Sequence, residues 1–177
     1  NTRTKIEAIV SREIGGYLTK MEREYSLISK STPIFSKVET KNVRYIISDN
    51  FLTFWFRFIY KYGHILEIGA FNELKEIIGR DYNTYSGIIL ERYFRTKTIE
   101  QKGITQIGGY WDRKGVTEID MISVNEIKKK ADIIEINKNA DKIDISKLKQ
   151  KGYNFLTKTG ELRDYKITFK GLSMKDM

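Results

Sequence analysis

Four carboxylates in the second half of the chain have the types and spacing for metal-assisted chemistry. Glu118 and Asp120 stand two apart in an alternating apolar run, so as strand residues they share one face. Glu135 lies in the next such run, and Glu91 in an amphipathic stretch upstream. Carboxylates gathered at the ends of neighbouring strands suit Mg²⁺, a hard cation that takes oxygen ligands and keeps several waters. A metal so held activates water and stabilises a phosphoryl transition state. Asp120 and Glu135 are the predicted ligands, and Glu91, Asp120 and Glu135 the predicted catalytic set. The residue two beyond Glu135, on the same strand face, is Asn137. An amide carries no positive charge and cannot orient or deprotonate water as an amine does. Lys138 points to the opposite face by strand alternation, which leaves Lys142 as the nearby amine able to reach back.

Composition narrows the field. The chain has 177 residues, 40% hydrophobic and 31% charged, which is the make-up of a globular protein with a real core. No cysteine is present, so thiolate metal sites and disulfides are excluded. His64 is the one histidine, which rules out multi-histidine zinc sites. No apolar run approaches the roughly 20 residues that span a bilayer, and no secretory pattern opens the chain, so a cytoplasmic protein without membrane contact is expected. The net charge is +9. Residues 1–48 carry +4 and residues 81–177 carry +5, with a neutral stretch between them. An anionic partner, DNA first, fits this balance, and a lysine-rich solubilising surface fits it equally.

The elements that would position these residues fall into three blocks. In residues 1–48, Thr4–Val10 and Ser11–Tyr25 have helical spacing, with Ser11 as N-cap of the second helix. A hairpin of Leu27–Lys37 and Asn42–Ser48 follows, joined by Val38–Lys41 and bent at Pro33. Helix then ribbon is the second half of a winged helix, in which Arg12, Lys20, Arg23, Lys37, Lys41 and Arg44 would contact phosphates. Gly15 and Gly16 suggest a close backbone approach there. Residues 49–80 form a helical bridge. Its aromatic run Phe51–Tyr62 is apolar nearly all round and is predicted to be buried, with a second helix over Ala70–Ile78. Residues 81–177 read as a helix over Tyr82–Thr98 and strands over Thr105–Asp112, Val116–Asn125 and Ala131–Asn137. A helix over Ile143–Leu156 and a strand over Arg163–Lys170 complete the block. Arg113-Lys114-Gly115 is the predicted hairpin turn. The fold class is α/β, α+β overall: a partial winged helix, an aromatic helical bridge and a mixed sheet flanked by helices.

Acid on a helix, Asp on a strand and Glu on the next strand, in that order, resembles the PD-(D/E)xK restriction-endonuclease-like fold. Several segments also resemble the region after the ATPase core in archaeal-type P-loop ATPases of the AAA/STAND kind. These are Pro33-Ile-Phe35, Tyr45–Ile59 with its Phe-Trp-Phe-Arg-Phe, Leu90–Phe94, Ile107–Gly115 and Glu118-Ile-Asp-Met-Ile122. The resemblance implies a winged helix followed by a nuclease-like domain, with Glu91, Asp120 and Glu135 at the acidic positions and Glu-Ile-Asn in place of Glu-x-Lys. It also implies an ATPase part N-terminal to this region as partner. The chain itself holds no Gly-x-x-x-x-Gly-Lys-Ser/Thr, so it has no P-loop. The expected function is nucleic-acid binding with weak or no cleavage. An active Mg²⁺-dependent nuclease and a regulatory module docking on the ATPase are the alternatives.

Overall fold

The computed structural model describes residues 1–113 and 115–177, so the central residue of the predicted turn, Lys114, lies outside the described residues. The fold is mixed α/β with two sheets, and the chain divides into two compact units. One comprises Asn1–Ser31 and Val43–Ser86, the other Thr32–Asn42 and Gly87–Met177.

In the first unit, α1 (Arg3–Val10) and α2 (Gly15–Arg23) precede a two-stranded antiparallel ribbon of β1 (Ile28–Ser31) and β2 (Arg44–Ile47). Ser11 does not cap α2. It closes α1 in the left-handed conformation, and α2 begins at Gly15 without a side-chain cap. A Cβ on Gly15 would lie 3.0 Å from the Arg3 guanidinium, so the close approach is to a side chain of α1. The ribbon is shorter than expected. Its first strand stops at Ser31 because Pro33 has no N–H to donate and Phe35 takes a positive φ of 61°. The predicted turn Val38–Lys41 therefore belongs to the other unit.

The aromatic run departs most from expectation. It begins as α3 (Asn50–Phe54), widens into a π-helical turn (Trp55–Ile59), tightens into a 3₁₀ turn (Tyr60–Tyr62) and continues as α4 (Gly63–Glu67), which carries His64. Three helical pitches in succession spread the rings, so a single 3.6-residue stripe never forms. Phe58 is fully buried and contacts Phe54 and Tyr85 at ring separations of 5.1 and 5.6 Å. Phe51, Trp55, Phe56 and Tyr60 remain exposed. The helices expected at 70–78 and 82–98 are one, α5 (Phe71–Ile99). No proline interrupts them, and Arg80 pairs with Asp81 at 2.9 Å across the expected break.

The second unit is a four-stranded sheet in the order β3 (Gln106–Trp111), β4 (Glu118–Asn125), β5 (Lys130–Ile136), β6 (Lys166–Leu172). The first two pairings are antiparallel, and β5–β6 is parallel through the crossover helix α6 (Ile145–Thr159). Alternation divides the sheet between two cores. Met121, Ile134 and Ile136 pack with Leu90 and Phe94 of α5. Ile122, Val124, Ala131 and Ile133 pack with Leu148 and Phe155 of α6. Helix α6 is capped by Asp144, whose carboxylate accepts from the Ser146 and Lys147 N–H groups, and ends at left-handed Gly160. Its buried stripe is Leu148, Gly152 and Phe155, whereas Tyr153 is exposed.

Gly152 is where α6 meets the sheet most tightly. A Cβ there would collide with the Phe169 ring and lie 3.2 Å from Ile133 Cδ1. Gly152→Ala should therefore destabilise the protein by about 1–3 kcal/mol despite alanine's better helix propensity. Gly79→Ala, in α5 with nothing within 4 Å of the new methyl, should stabilise by about 0.5–1 kcal/mol. Urea denaturation of both variants checks the pair, and a Gly152→Ala midpoint at or above wild type would refute the packing argument.

Candidate active site

The β4–β5 ladder stops with Met121 opposite Ile134. One step further, Asp120 stands across from Glu135, whose side chain faces the α6 side of the sheet by alternation with Ile134 and Ile136. The ladder's end leaves the Ile136 N–H without a β4 carbonyl. The Asp120 carboxylate takes that role, accepting at 2.8 Å through Oδ2. The Asp120 carbonyl accepts at 3.2 Å from Nη2 of Arg95, which arrives from α5. A register shift between Gly108 and Tyr110 opens this place. Gly109 leaves room, because a Cβ there would lie 3.1 Å from the Asp120 carbonyl oxygen and 3.5 Å from Arg95 Nη2.

Glu135 has an amine beside it. Lys151 Nζ lies 3.1 and 3.3 Å from its two carboxylate oxygens. Lys151 sits on α6 three residues after buried Leu148, on the flank of the helix's apolar stripe, where a long side chain keeps its stem on the sheet and its amine over β5. Neither Asn137 nor Lys142 supplies that contact. Asn137 turns away, its side-chain oxygen accepting from the Asn139 N–H at 3.1 Å, while its own N–H extends the β5–β6 ladder to the Leu172 carbonyl at 3.0 Å. Lys142 is exposed in a 3₁₀ turn (Ala140–Lys142). Reading strand positions alone missed Lys151. The signal that finds it is helical: a lysine three residues after Leu148 and one before Gly152, in the helix that crosses over from the Glu135 strand.

The charges on Asp120 follow from this arrangement. Burial raises its carboxyl most, and the Glu135 and Glu118 charges push the same way. The Ile136 N–H and Lys151 pull it down, and the balance leaves it at about 6. The structure thus brings Asp120, Glu135 and Lys151 together, with Glu118 within electrostatic reach. Glu91 lies on α5, one turn before Arg95, on the helix that packs against Met121, Ile134 and Ile136. Among the described residues no group of three or more acidic or histidine side chains converges as a metal site.

The six basic residues expected to contact phosphates are divided. Arg12 stacks over Tyr17 at 5.3 Å, Lys20 reaches Glu24 at 3.8 Å, and Arg23 and Arg44 complete the set in the first unit. Lys37 and Lys41 belong to the second. No helix among the described residues is long and apolar enough to cross a membrane.

The family DUF234, described as archaeal and bacterial proteins of unknown function, matches residues 55–153. This chain belongs to DUF234. The matched stretch runs from the π-helical turn to the middle of α6 and contains Glu91, Asp120, Glu135 and Lys151. An uncharacterised protein of Methanocaldococcus jannaschii is 36% identical over 115 residues, covering 61% of this chain and 25% of the relative. The DUF234 chain thus matches about a quarter of that relative's length. No solved structure matches.

The raised Asp120 carboxyl has a consequence for stability. Unfolded, the group titrates near 3.8; folded, near 6. Between those values the native state holds more protons, so stability falls as pH rises through the window and stays lower above it. Once ionised, the carboxylate costs the fold up to about 3 kcal/mol. Asp120→Asn keeps an acceptor for the Ile136 N–H and removes the charge. It should be more stable than wild type by about 1–3 kcal/mol at pH 8, with the two converging near pH 3.5. Equal urea midpoints at pH 8 would contradict this account.

Proposed function

We propose that the chain binds nucleic acid and that its second unit hydrolyses phosphodiester bonds with a divalent cation, Lys151 supplying the amine that position 137 lacks. The observation that carries the reading is that the Asp120 carboxylate lies within electrostatic reach of both the Glu135 carboxylate and the Lys151 amine that contacts Glu135. The donor set suits a hard cation. Mg²⁺ is commonly held by one or two carboxylates, its remaining ligands being waters and substrate phosphates, so a third protein carboxylate is not required. Asp120 gives one oxygen to Ile136 and keeps the other. A positive charge between Asp120 and Glu135 would relieve the mutual repulsion that helps raise Asp120.

When bound, such a cation polarises a phosphoryl oxygen and makes a nearby water more acidic. The chain's own groups do the rest. Asp120 and Glu135 would hold that cation. Lys151 pairs with Glu135 and would present N–H donors where negative charge grows on the phosphate. Arg95 holds the backbone at Asp120, so that its carboxylate is aimed by the bulge and not by a flexible loop.

Plasmid nicking in Mg²⁺ or Mn²⁺ tests the proposal. Asp120→Ala and Lys151→Met should each lower the rate about 100-fold or more, whereas Asn137→Ala should stay within about threefold because the amide points elsewhere. Cutting that survives both Asp120→Ala and Lys151→Met would remove the reading. A second reading, binding without cleavage, is favoured by the lack of a three-carboxylate cluster among the described residues. It predicts salt-dependent DNA binding and no metal-dependent nicking by wild type. The resemblance to archaeal-type P-loop ATPases supports a further element, namely that this region works beside an ATPase part of a longer protein.

A further inference from the structure

The charge of the chain is not shared evenly between the two units. The second carries 21 basic against 14 acidic side chains, a net of +7, and the first 11 against 9, a net of +2. Part of the second unit's excess comes from the segment Thr32–Asn42, which the sequence pattern assigns to the ribbon of the first. That segment is tied to the edge strand β3 at both ends. The Ile34 N–H donates to the Gly109 carbonyl at 2.8 Å, and Ile34 packs over Gly108. Asn42 and Trp111 exchange two hydrogen bonds, Asn42 Nδ2 to the Trp111 carbonyl at 3.1 Å and Trp111 Nε1 to Asn42 Oδ1 at 3.0 Å. Phe35 stacks on Phe155 of the core. Between these anchors the chain turns through a Thr40 N–H to Lys37 carbonyl bond of 3.0 Å.

The anchored loop and Arg113, just past β3, line an open concavity of about 800 Å³, with Lys37 and Lys41 as the loop's cations and Glu39 as the acid among the described lining residues. All three cations are exposed, and the volume far exceeds what a single phosphate fills. The concavity lies at the end of the sheet where β3 finishes at Trp111, β4 starts at Glu118 and β5 finishes at Ile136, which is the end that holds Asp120 and Glu135. From edge strand β3 to β5 is two strand spacings, about 10 Å, or about three base steps along a duplex strand.

We propose that this concavity is the principal phosphate-backbone site of the protein, where Lys37, Lys41 and Arg113 hold nucleic acid so that its strand runs on to Asp120 and Glu135. The inference rests on the nucleic-acid reading above and moves the contact from the winged-helix-like ribbon to the sheet unit. Cations on a loop fixed at both ends need little ordering when they bind, which favours this place over scattered surface lysines.

The test is fluorescence anisotropy of a fluorescein-labelled 20-base-pair duplex DNA with the full chain, in EDTA to prevent cleavage, from 25 to 200 mM salt. Lys37→Gln/Lys41→Gln/Arg113→Gln should bind about tenfold or more weakly at 50 mM salt and lower the slope of log K against log salt by about 2–3. Lys128→Gln/Lys149→Gln/Lys166→Gln removes the same charge from other exposed positions of the unit and should change affinity less than threefold. Circular dichroism confirms that both triples are folded. Equal losses in the two triples, or a groove triple that binds like wild type, overturn the inference while leaving metal-dependent nicking untouched. A wild type that does not bind at 25 mM salt overturns the inference and the nucleic-acid reading together. Loss of binding in the groove triple from a protein that never nicks supports the inference and rejects only the hydrolytic reading.

Discussion

The hydrogen bond from the Ile136 N–H to the Asp120 carboxylate, 2.8 Å long, is the constraint around which the second unit's site is arranged. It exists because the β4–β5 ladder ends one residue early, leaving a buried donor that must be satisfied. A backbone carbonyl would satisfy it at no electrostatic cost. An aspartate does so while standing opposite Glu135 and near Glu118, in a place where burial already opposes its charge. From this single choice follow the position of the carboxylate at the strand end, its raised proton affinity and the need for a cation nearby. Lys151 meets part of that need from α6, and Arg95 fixes the main chain from α5. The two helices that cover the sheet thus each send one basic side chain to the same pair of strand ends.

The site therefore depends on packing far from it. Lys151 reaches Glu135 only because Leu148, Gly152 and Phe155 seat α6 close against β4 and β5, and Gly152 sets that closeness against Phe169 and Ile133. Arg95 reaches the Asp120 carbonyl only because Leu90 and Phe94 seat α5 on Met121, Ile134 and Ile136, and because Gly109 carries no side chain. On the outer edge, the Thr32–Asn42 segment covers β3 through Ile34 and Asn42. It protects an otherwise open strand edge while carrying two lysines to the sheet unit.

Much of this was legible in the sequence. Period-two alternation located β3 to β6 within a few residues, and the order of the acids put Asp120 and Glu135 on neighbouring strands. Three features were not legible, each for a physical reason. The aromatic run kept apolar residues at helical spacing but changed pitch at Trp55, so spacing no longer reported burial. Thr32–Asn42 looked like a hairpin turn because its flanks pair as β1 and β2, yet Pro33 and the positive φ of Phe35 turn the chain out of the ribbon. Lys151 was invisible to strand logic because its contact with Glu135 is made across the crossover, through the pitch of α6 and its seating on the sheet.

A lysine at position 137 and a lysine at position 151 are not equivalent solutions. On the strand, an amine at 137 would be held by backbone geometry two residues from Glu135, with little freedom of placement. On α6, the Lys151 amine is held at the end of a long side chain whose root is fixed by helix packing, so its place depends on the core as a whole. Position 137 is then available for another task, and Asn137 takes one: its side-chain oxygen accepts from Asn139 while its N–H carries the parallel ladder one residue past Ile136. That extension keeps β5 paired to β6 beyond the point where β4 has left it. Ile136, whose N–H must meet Asp120, is thereby held by a neighbouring strand on its other side. The backbone N–H of residue 137 and the amine of Lys151 are parts of one arrangement, in which the strand end is stiffened by the first so that the second has a fixed carboxylate to address.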